Sequence, residues 1–200
     1  MEGPSPQAAH HPSWLDPKKG GRRNRWMALG GVVTTVAVLT LLLAFGLSRD
    51  PTLIRSPLIG KPAPTFGLLT LDGKKTLKLT DFQGQVVVIN FWASWCADCR
   101  IEHGALAAAW DRYRDQRVIL LGIAFQDRAS ASRSYIDDMG GDWPQLVDPG
   151  EGTALAYGVY GVPETFVIGA DGRVAAKRVG AVTYTWLTEQ IDRLLPGVTR

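Results

Sequence analysis

Cys96 and Cys99, the only two cysteines of the chain, stand two residues apart behind the apolar run Val86-Val87-Val88-Ile89-Asn90-Phe91-Trp92. Two thiols at this spacing on the first turn of a helix can close a disulfide with each other and reopen it. A bridge over two residues restrains almost nothing in the unfolded chain, which disfavours a bracing role. A structural zinc site wants four ligands, and the chain adds only His10, His11 and His103, the first two of them beyond a long apolar segment. No metal site is predicted, and the spacing points to reversible thiol chemistry.

The neighbours of the pair suggest a division of labour. Cys96 precedes the predicted helix, where free N–H groups and the positive end of the helix dipole favour thiolate, so it is the expected nucleophile. Cys99, one turn further in, is placed to resolve a mixed disulfide by attacking the Cys96 sulfur. Asp98 has two readings: its charge opposes thiolate formation on both neighbours, or it merely complements the helix N-terminus. With Ile101 set at zero on a helical wheel, Ala105, Ala109, Tyr113 and Leu106 fall at roughly 40°, 80°, 120° and 140°. Glu102 falls among them, at about 100°. A carboxylate on an apolar face is expected to be buried, with its pKa raised into a range useful for exchanging protons with Cys99. His103, a further 100° or so round, is expected at the surface.

Further along, Val162-Pro163 opens a strand. A cis bond there would leave the Val162 backbone beside the cysteines, free to hydrogen-bond an extended peptide. Glu164 follows as a second acid aimed at the same region. Of the two tryptophans before the motif, Trp92 reads as packing and Trp95 as lining the site.

These residues need a scaffold, and the remaining pattern supplies one. Residues 66–71 and 76–79 flank the turn signal Asp72-Gly73. The strand over 85–92 reads as buried on both faces. A helix to about Asp115 and a second apolar strand over 118–125 follow. A short helix ends at Gly140-Gly141, a Pro/Gly/Asp loop leads to a helical turn over 152–157, and a second hairpin joins 165–168 to 174–179. A last helix over 186–195 stops at Pro196. The order predicts an α/β fold, a mixed sheet flanked by helices with an N-terminal hairpin and a central insert, which is a thioredoxin-like plan.

The formal charge of +3 is confined to the N-terminus: residues 1–26 carry five basic and two acidic groups, leaving 17 of each sign elsewhere. A neutral globular part gives no footprint for nucleic acid. The basic cluster abuts Met27 to Leu47, which has no charged residue. As a helix this stretch is about 31 Å long, enough to cross the hydrocarbon core. The excess of Lys/Arg before it predicts a cytoplasmic N-terminus and an extracytoplasmic remainder. An uncleaved signal anchor is favoured over a cleaved signal peptide, whose apolar core is shorter. The predicted organisation is a disordered basic tail over 1–26, a transmembrane anchor over 27–47, a Pro-rich linker over 48–56 and a domain over 57–200. Thiols outside the cytoplasm tend to oxidise, so a dithiol that reduces its targets there needs a supply of electrons.

Phe91-Trp92-Ala93-Ser94-Trp95-Cys96-Ala97-Asp98-Cys99-Arg100-Ile101-Glu102-His103, together with Gly158-Val159-Tyr160-Gly161-Val162-Pro163-Glu164-Thr165-Phe166-Val167-Ile168, resembles the DsbE/CcmG family of membrane-tethered thioredoxin-like proteins. The likeness spans about residues 57–196 and includes Gly60-Lys61-Pro62-Ala63-Pro64. The first motif is shared with ResA and TlpA types; the second, with Pro-Glu-Thr-Phe, is the more specific. The resemblance implies reduction of the Cys-X-X-Cys-His haem-attachment motif of apocytochrome c during cytochrome c maturation. It implies electrons from a transmembrane thiol reductase of the DsbD or CcdA kind, and no cofactor beyond the Cys96–Cys99 disulfide. It assigns the active-site pair to Cys96 and Cys99, two acids to Glu102 and Glu164, and a cis-proline to Pro163. Ala97-Asp98 departs from relatives that often carry proline between the cysteines.

Three other readings remain open. A tethered peroxiredoxin shares the Gly60 to Phe66 start but expects a Pro-x-x-x-Thr-x-x segment before its cysteine, where this chain has Ile89 to Trp95. A general disulfide oxidase needs a strongly oxidising pair. A binding module would hold apocytochrome without turnover.

Overall fold

The structure is a computed structural model describing residues 21–47 and 56–195. Residues 1–20 of the predicted tail over 1–26, residues 48–55 of the predicted linker and the last five residues lie outside the described residues. In chain order the elements are α1 (Gly21–Leu47), β1 (Gly67–Thr70), β2 (Thr76–Lys78), β3 (Val86–Trp92), α2 (Ala97–Tyr113), β4 (Val118–Ala124), α3 (Ala129–Met139), β5 (Gln145–Val147), α4 (Gly152–Tyr157), β6 (Glu164–Ile168), β7 (Val174–Val179) and α5 (Tyr184–Asp192).

The chain divides into two units, residues 1–51 and 52–200. In the first, α1 contains the 21-residue stretch Arg25–Phe45, whose most apolar 18 residues have a mean hydropathy of 2.3, long and apolar enough to cross a membrane. The helix begins at Gly21, inside the stretch 1–26 assigned to the basic tail, so Arg22, Arg23 and Arg25 are helical. Arg is a good helix former, and a helix already running through an apolar segment extends at little cost. Thr34, Thr35 and Thr40 turn their hydroxyls onto the carbonyls of Gly30, Gly31 and Val36 at 2.8–2.9 Å, which satisfies them within the helix.

In the second unit the two longest apolar runs form the centre of the sheet. β3 is buried along its whole length and pairs in parallel with β4 from Val86↔Val118 to Trp92↔Ala124. β6 lies antiparallel on its other side and β7 antiparallel to β6. β5 extends the sheet parallel to β4, and β1 and β2 close that edge, giving the order β2-β1-β5-β4-β3-β6-β7. This is the expected thioredoxin-like mixed sheet with its leading hairpin. The loop predicted after Gly141 instead contains β5, too short for its alternation to show and paired on both edges.

Because side chains alternate across a strand, the two faces have separate cores. Val87, Ile89 and Phe91 of β3 join Phe166 and Ile168 of β6 on one face. Val86 and Val88 meet Leu106, Ala109 and Tyr113 of α2 and Leu187 and Ile191 of α5 on the other. By the same alternation Asn90 and Thr165 fall on the α2 face, and Glu164 falls on the opposite one. A close approach at Gly122 of β4 sets the interior below the cysteines: a Cβ there would collide with the Gln145 carboxamide and the Trp92 ring, which are hydrogen-bonded to each other at 2.9 Å.

Candidate active site

Cys96 caps the N-terminus of α2 from an extended conformation, φ −88° and ψ 113°, and its Sγ accepts the Cys99 N–H at 3.0 Å. The two sulfurs are bonded to each other at 2.09 Å. Cys99 is 2 % exposed and Cys96 6 %, so the outer position belongs to Cys96, narrowly. A thiolate at Cys96 inherits that N–H and the positive helix end, and this lowers the cost of its charge.

The loop carrying Cys96 is held by a residue that the sequence did not single out. Asp127, after β4, accepts the Ser94 N–H at 2.7 Å and the Ser94 and Ser132 hydroxyls at 2.9 Å. Trp95 donates its indole N–H to the Gln126 carbonyl at 3.2 Å while its ring stays 60 % exposed, an apolar surface next to the nucleophile. Asp127 left no signal of its own, because a lone Asp in a loop is ordinary.

Glu102 occupies the α2 face turned to the sheet and is 1 % exposed. Its Oε1 accepts from Asn90 Nδ2 at 2.8 Å and its Oε2 from the Val182 N–H at 2.8 Å. Burial pushes its carboxyl up to about 7, an effect the two hydrogen bonds oppose and the nearby Asp98 charge reinforces. One helical turn from Cys99, a group half-protonated near neutrality can give or take the proton that sulfur needs. Asn90 also donates to Thr165 Oγ1 at 3.1 Å, so it joins α2 to β6. Its signal in the sequence was available: it is the single amide inside an otherwise apolar strand.

The Val162-Pro163 peptide bond is cis. Val162 packs against the cluster that contains both cysteines, and its backbone makes no hydrogen bond to another described residue. Glu164 is also buried, at 0 % exposed, but on the sheet face away from Glu102, with Lys177 Nζ 2.6 Å from its Oε2 and the Tyr160 N–H on its Oε1 at 3.1 Å. The expected second acid aimed at the cysteines is therefore an ion-paired carboxylate behind the sheet, because one step along a strand reverses the side chain.

His103 is a second correction. It is 6 % exposed, bonds through Nε2 to the Gly140 carbonyl at 3.0 Å, and packs against Trp143 with ring centroids 5.1 Å apart. A carbonyl only accepts, so Nε2 carries the proton, and burial lowers the pKa of the ring. The wheel misplaced it because its reference, Ile101, is 74 % exposed: the buried arc is centred beyond Glu102 and includes Cys99 and His103. Asp98 is exposed at the helix start, as either of its readings requires. Trp92 is buried and stacked on Tyr135 at 4.8 Å, a packing role. Among the described residues no group of three or more His, Cys, Asp or Glu comes together that could hold a metal ion.

The sequence matches the AhpC/TSA family over residues 59–177. It is 37 % identical over 159 residues to the thiol:disulfide interchange protein DsbE of Allochromatium vinosum, covering 78 % of this chain and 86 % of that one. It is 35 % identical over 151 residues to the thiol:disulfide interchange protein HelX of Rhodobacter capsulatus, covering 74 % and 84 %. A crystal structure of a thioredoxin-family thiol:disulfide interchange protein from Chlorobium tepidum superposes with a TM-score of 0.61 at 25 % identity, covering 66 % of this chain and 94 % of that one.

Proposed function

Since the chain belongs to the AhpC/TSA family and, within it, to the thiol-disulfide oxidoreductases of the DsbE type, we propose that it reduces the Cys-X-X-Cys-His disulfide of apocytochrome c outside the cytoplasm. The observation that carries the reading is a buried, neutral-range acid one turn from a helix-capping cysteine pair, with a Val162 backbone alongside that bonds to no other described residue. The first supplies proton management for a buried thiol. The second offers a strand-like edge to an extended peptide.

In the forward direction the Cys96 thiolate attacks one sulfur of the substrate disulfide, forming a mixed disulfide and releasing the other substrate sulfur as a thiol. Cys99 then gives its proton to Glu102 and attacks the Cys96 sulfur. The second substrate thiol leaves, and two electrons have passed from the Cys96/Cys99 dithiol to the substrate. The Cys96–Cys99 disulfide that remains is the redox carrier itself, with no separate cofactor. A membrane thiol reductase of the DsbD or CcdA class restores the dithiol by the reverse exchange.

The anchor reading rests on α1 and the basic residues that precede and begin it: a single pass with the N-terminus in the cytoplasm, residues 48–56 as tether and residues 57–200 outside. Trp95, Val162 and Pro163 bind substrate, while Asp98 tunes the site through Glu102. Cys99→Ser in cells should accumulate a mixed disulfide through Cys96, with apocytochrome c peptides identifiable by mass. Trapped partners that lack any Cys-X-X-Cys-His segment would rule out this substrate and leave the oxidoreductase.

A further inference from the structure

Lys177 of β7 is a cation inside the protein that the thiol chemistry does not use. Its side chain is 9 % exposed, and Nζ lies 2.6 Å from Glu164 Oε2 and 3.2 Å from the Gly158 carbonyl oxygen. The same nitrogen sits 4.9 Å from the centre of the Phe166 ring and 5.8 Å from that of Tyr160. Glu164 spends its other oxygen on the Tyr160 N–H at 3.1 Å. The pair therefore grips the segment before Pro163 at two backbone points, the carbonyl of Gly158 and the amide of Tyr160. Beyond them the Pro163 carbonyl is taken by the Gly180 N–H at 2.9 Å, and Val162 lies between these anchors with its backbone bonded to no other described residue.

A buried ion pair is a poor source of stability, because removing two charges from water costs about what their attraction returns. What it supplies well is a fixed geometry: both charges accept only partners that reach them, and here those partners are backbone groups of one short loop. A loop held in place before binding loses less freedom when an extended chain pairs with it. We infer that Lys177 is a positioning residue: with Glu164 it clamps Gly158 and Tyr160 so that the Val162 backbone is presented to a peptide substrate. Glu164 then acts through the loop and not on the sulfurs, from which the sheet separates it. The inference rests on the reading that peptide disulfides are the substrates.

The test uses the full chain in detergent with two substrates: a synthetic peptide closed by a Cys-X-X-Cys disulfide, and hydroxyethyl disulfide, which is too short to pair with Val162. Glu164→Gln combined with Lys177→Met removes both charges without stranding either. It should raise KM for the peptide about five- to tenfold, the loss expected for a buried hydrogen bond, with kcat unchanged. Turnover of hydroxyethyl disulfide and the equilibrium with glutathione should stay at the wild-type value, and Lys177→Arg should recover most of the peptide KM. In the Glu164→Gln single variant, which keeps the shape of the side chain, faster hydrogen exchange at the Tyr160 amide should accompany the rise in KM. An unchanged peptide KM, an equal loss with hydroxyethyl disulfide, a shifted glutathione equilibrium, or a KM change with Tyr160 protection intact would each overturn the clamp. Failure of the cytochrome assignment reads differently: the wild-type protein would show no preference for a peptide with His after the second Cys, and the KM effect of the clamp would still be measured.

Discussion

Glu102 and Glu164 are equally removed from water, 1 % and 0 % exposed, and lie on opposite faces of one sheet. Burial pushes the Glu102 carboxyl up to about 7, and its neutral donors, the Val182 N–H and the Asn90 amide, offset that only in part. Glu164 meets an ammonium group at 2.6 Å. The contrast teaches that burial alone does not decide what a carboxylate does: its partners do. The neutral hydrogen-bonding shell of Glu102 leaves its burial uncompensated by charge, whereas Glu164 has a counter-ion that fixes its place in the fold.

The largest effect should come from breaking the ion pair on one side only. Lys177→Met leaves Glu164 buried and unpaired, and should cost about 3–5 kcal/mol in denaturant unfolding. A loss below about 1 kcal/mol would mean that the two carboxylates are less different than their partners imply.

A second effect is read through pH. The folded value of Glu102 lies above its ordinary 4.5, so the folded state holds this proton more tightly than the unfolded chain does. Its contribution is fully favourable below pH 4.5 and is lost as pH rises to about 7, on the order of 3 kcal/mol over that window. Glu102→Gln should flatten that slope in urea titrations at several pH values, and should remove the corresponding limb from the pH profile of disulfide exchange.

The smallest effect belongs to Asp98. Its charge helps to raise the Glu102 value, so Asp98→Asn should move the Glu102 midpoint to lower pH by a fraction of a unit, measured by carboxyl NMR. An unmoved midpoint would reduce Asp98 to a helix-start residue and nothing more.

Much of this site was legible because its signals are local. The Cys96/Cys99 spacing, the helix that begins between them and a carboxylate on that helix's apolar side all follow from a periodicity of about 3.6 residues. The wheel failed only in its phase, which put His103 outside; burial depends on where the sheet lies, and Ile101 faces away from it. β5 was hidden for a related reason, since three residues cannot display an alternation and its identity comes from neighbours on both edges. Asp127 was silent because its partners, Ser94 and Ser132, belong to two different segments.

By itself, then, the sequence determined which atoms can exchange electrons, that they sit at the start of a helix behind a central strand, and that an acid rides with them. The fold alone decided what each acid is for. Val182 reaches Glu102 across 80 residues of chain, and Lys177 reaches Glu164 from the neighbouring strand. A carboxylate's proton affinity is set by the charges and donors within a few ångströms of it, and in a folded chain those neighbours are chosen by packing and not by sequence order.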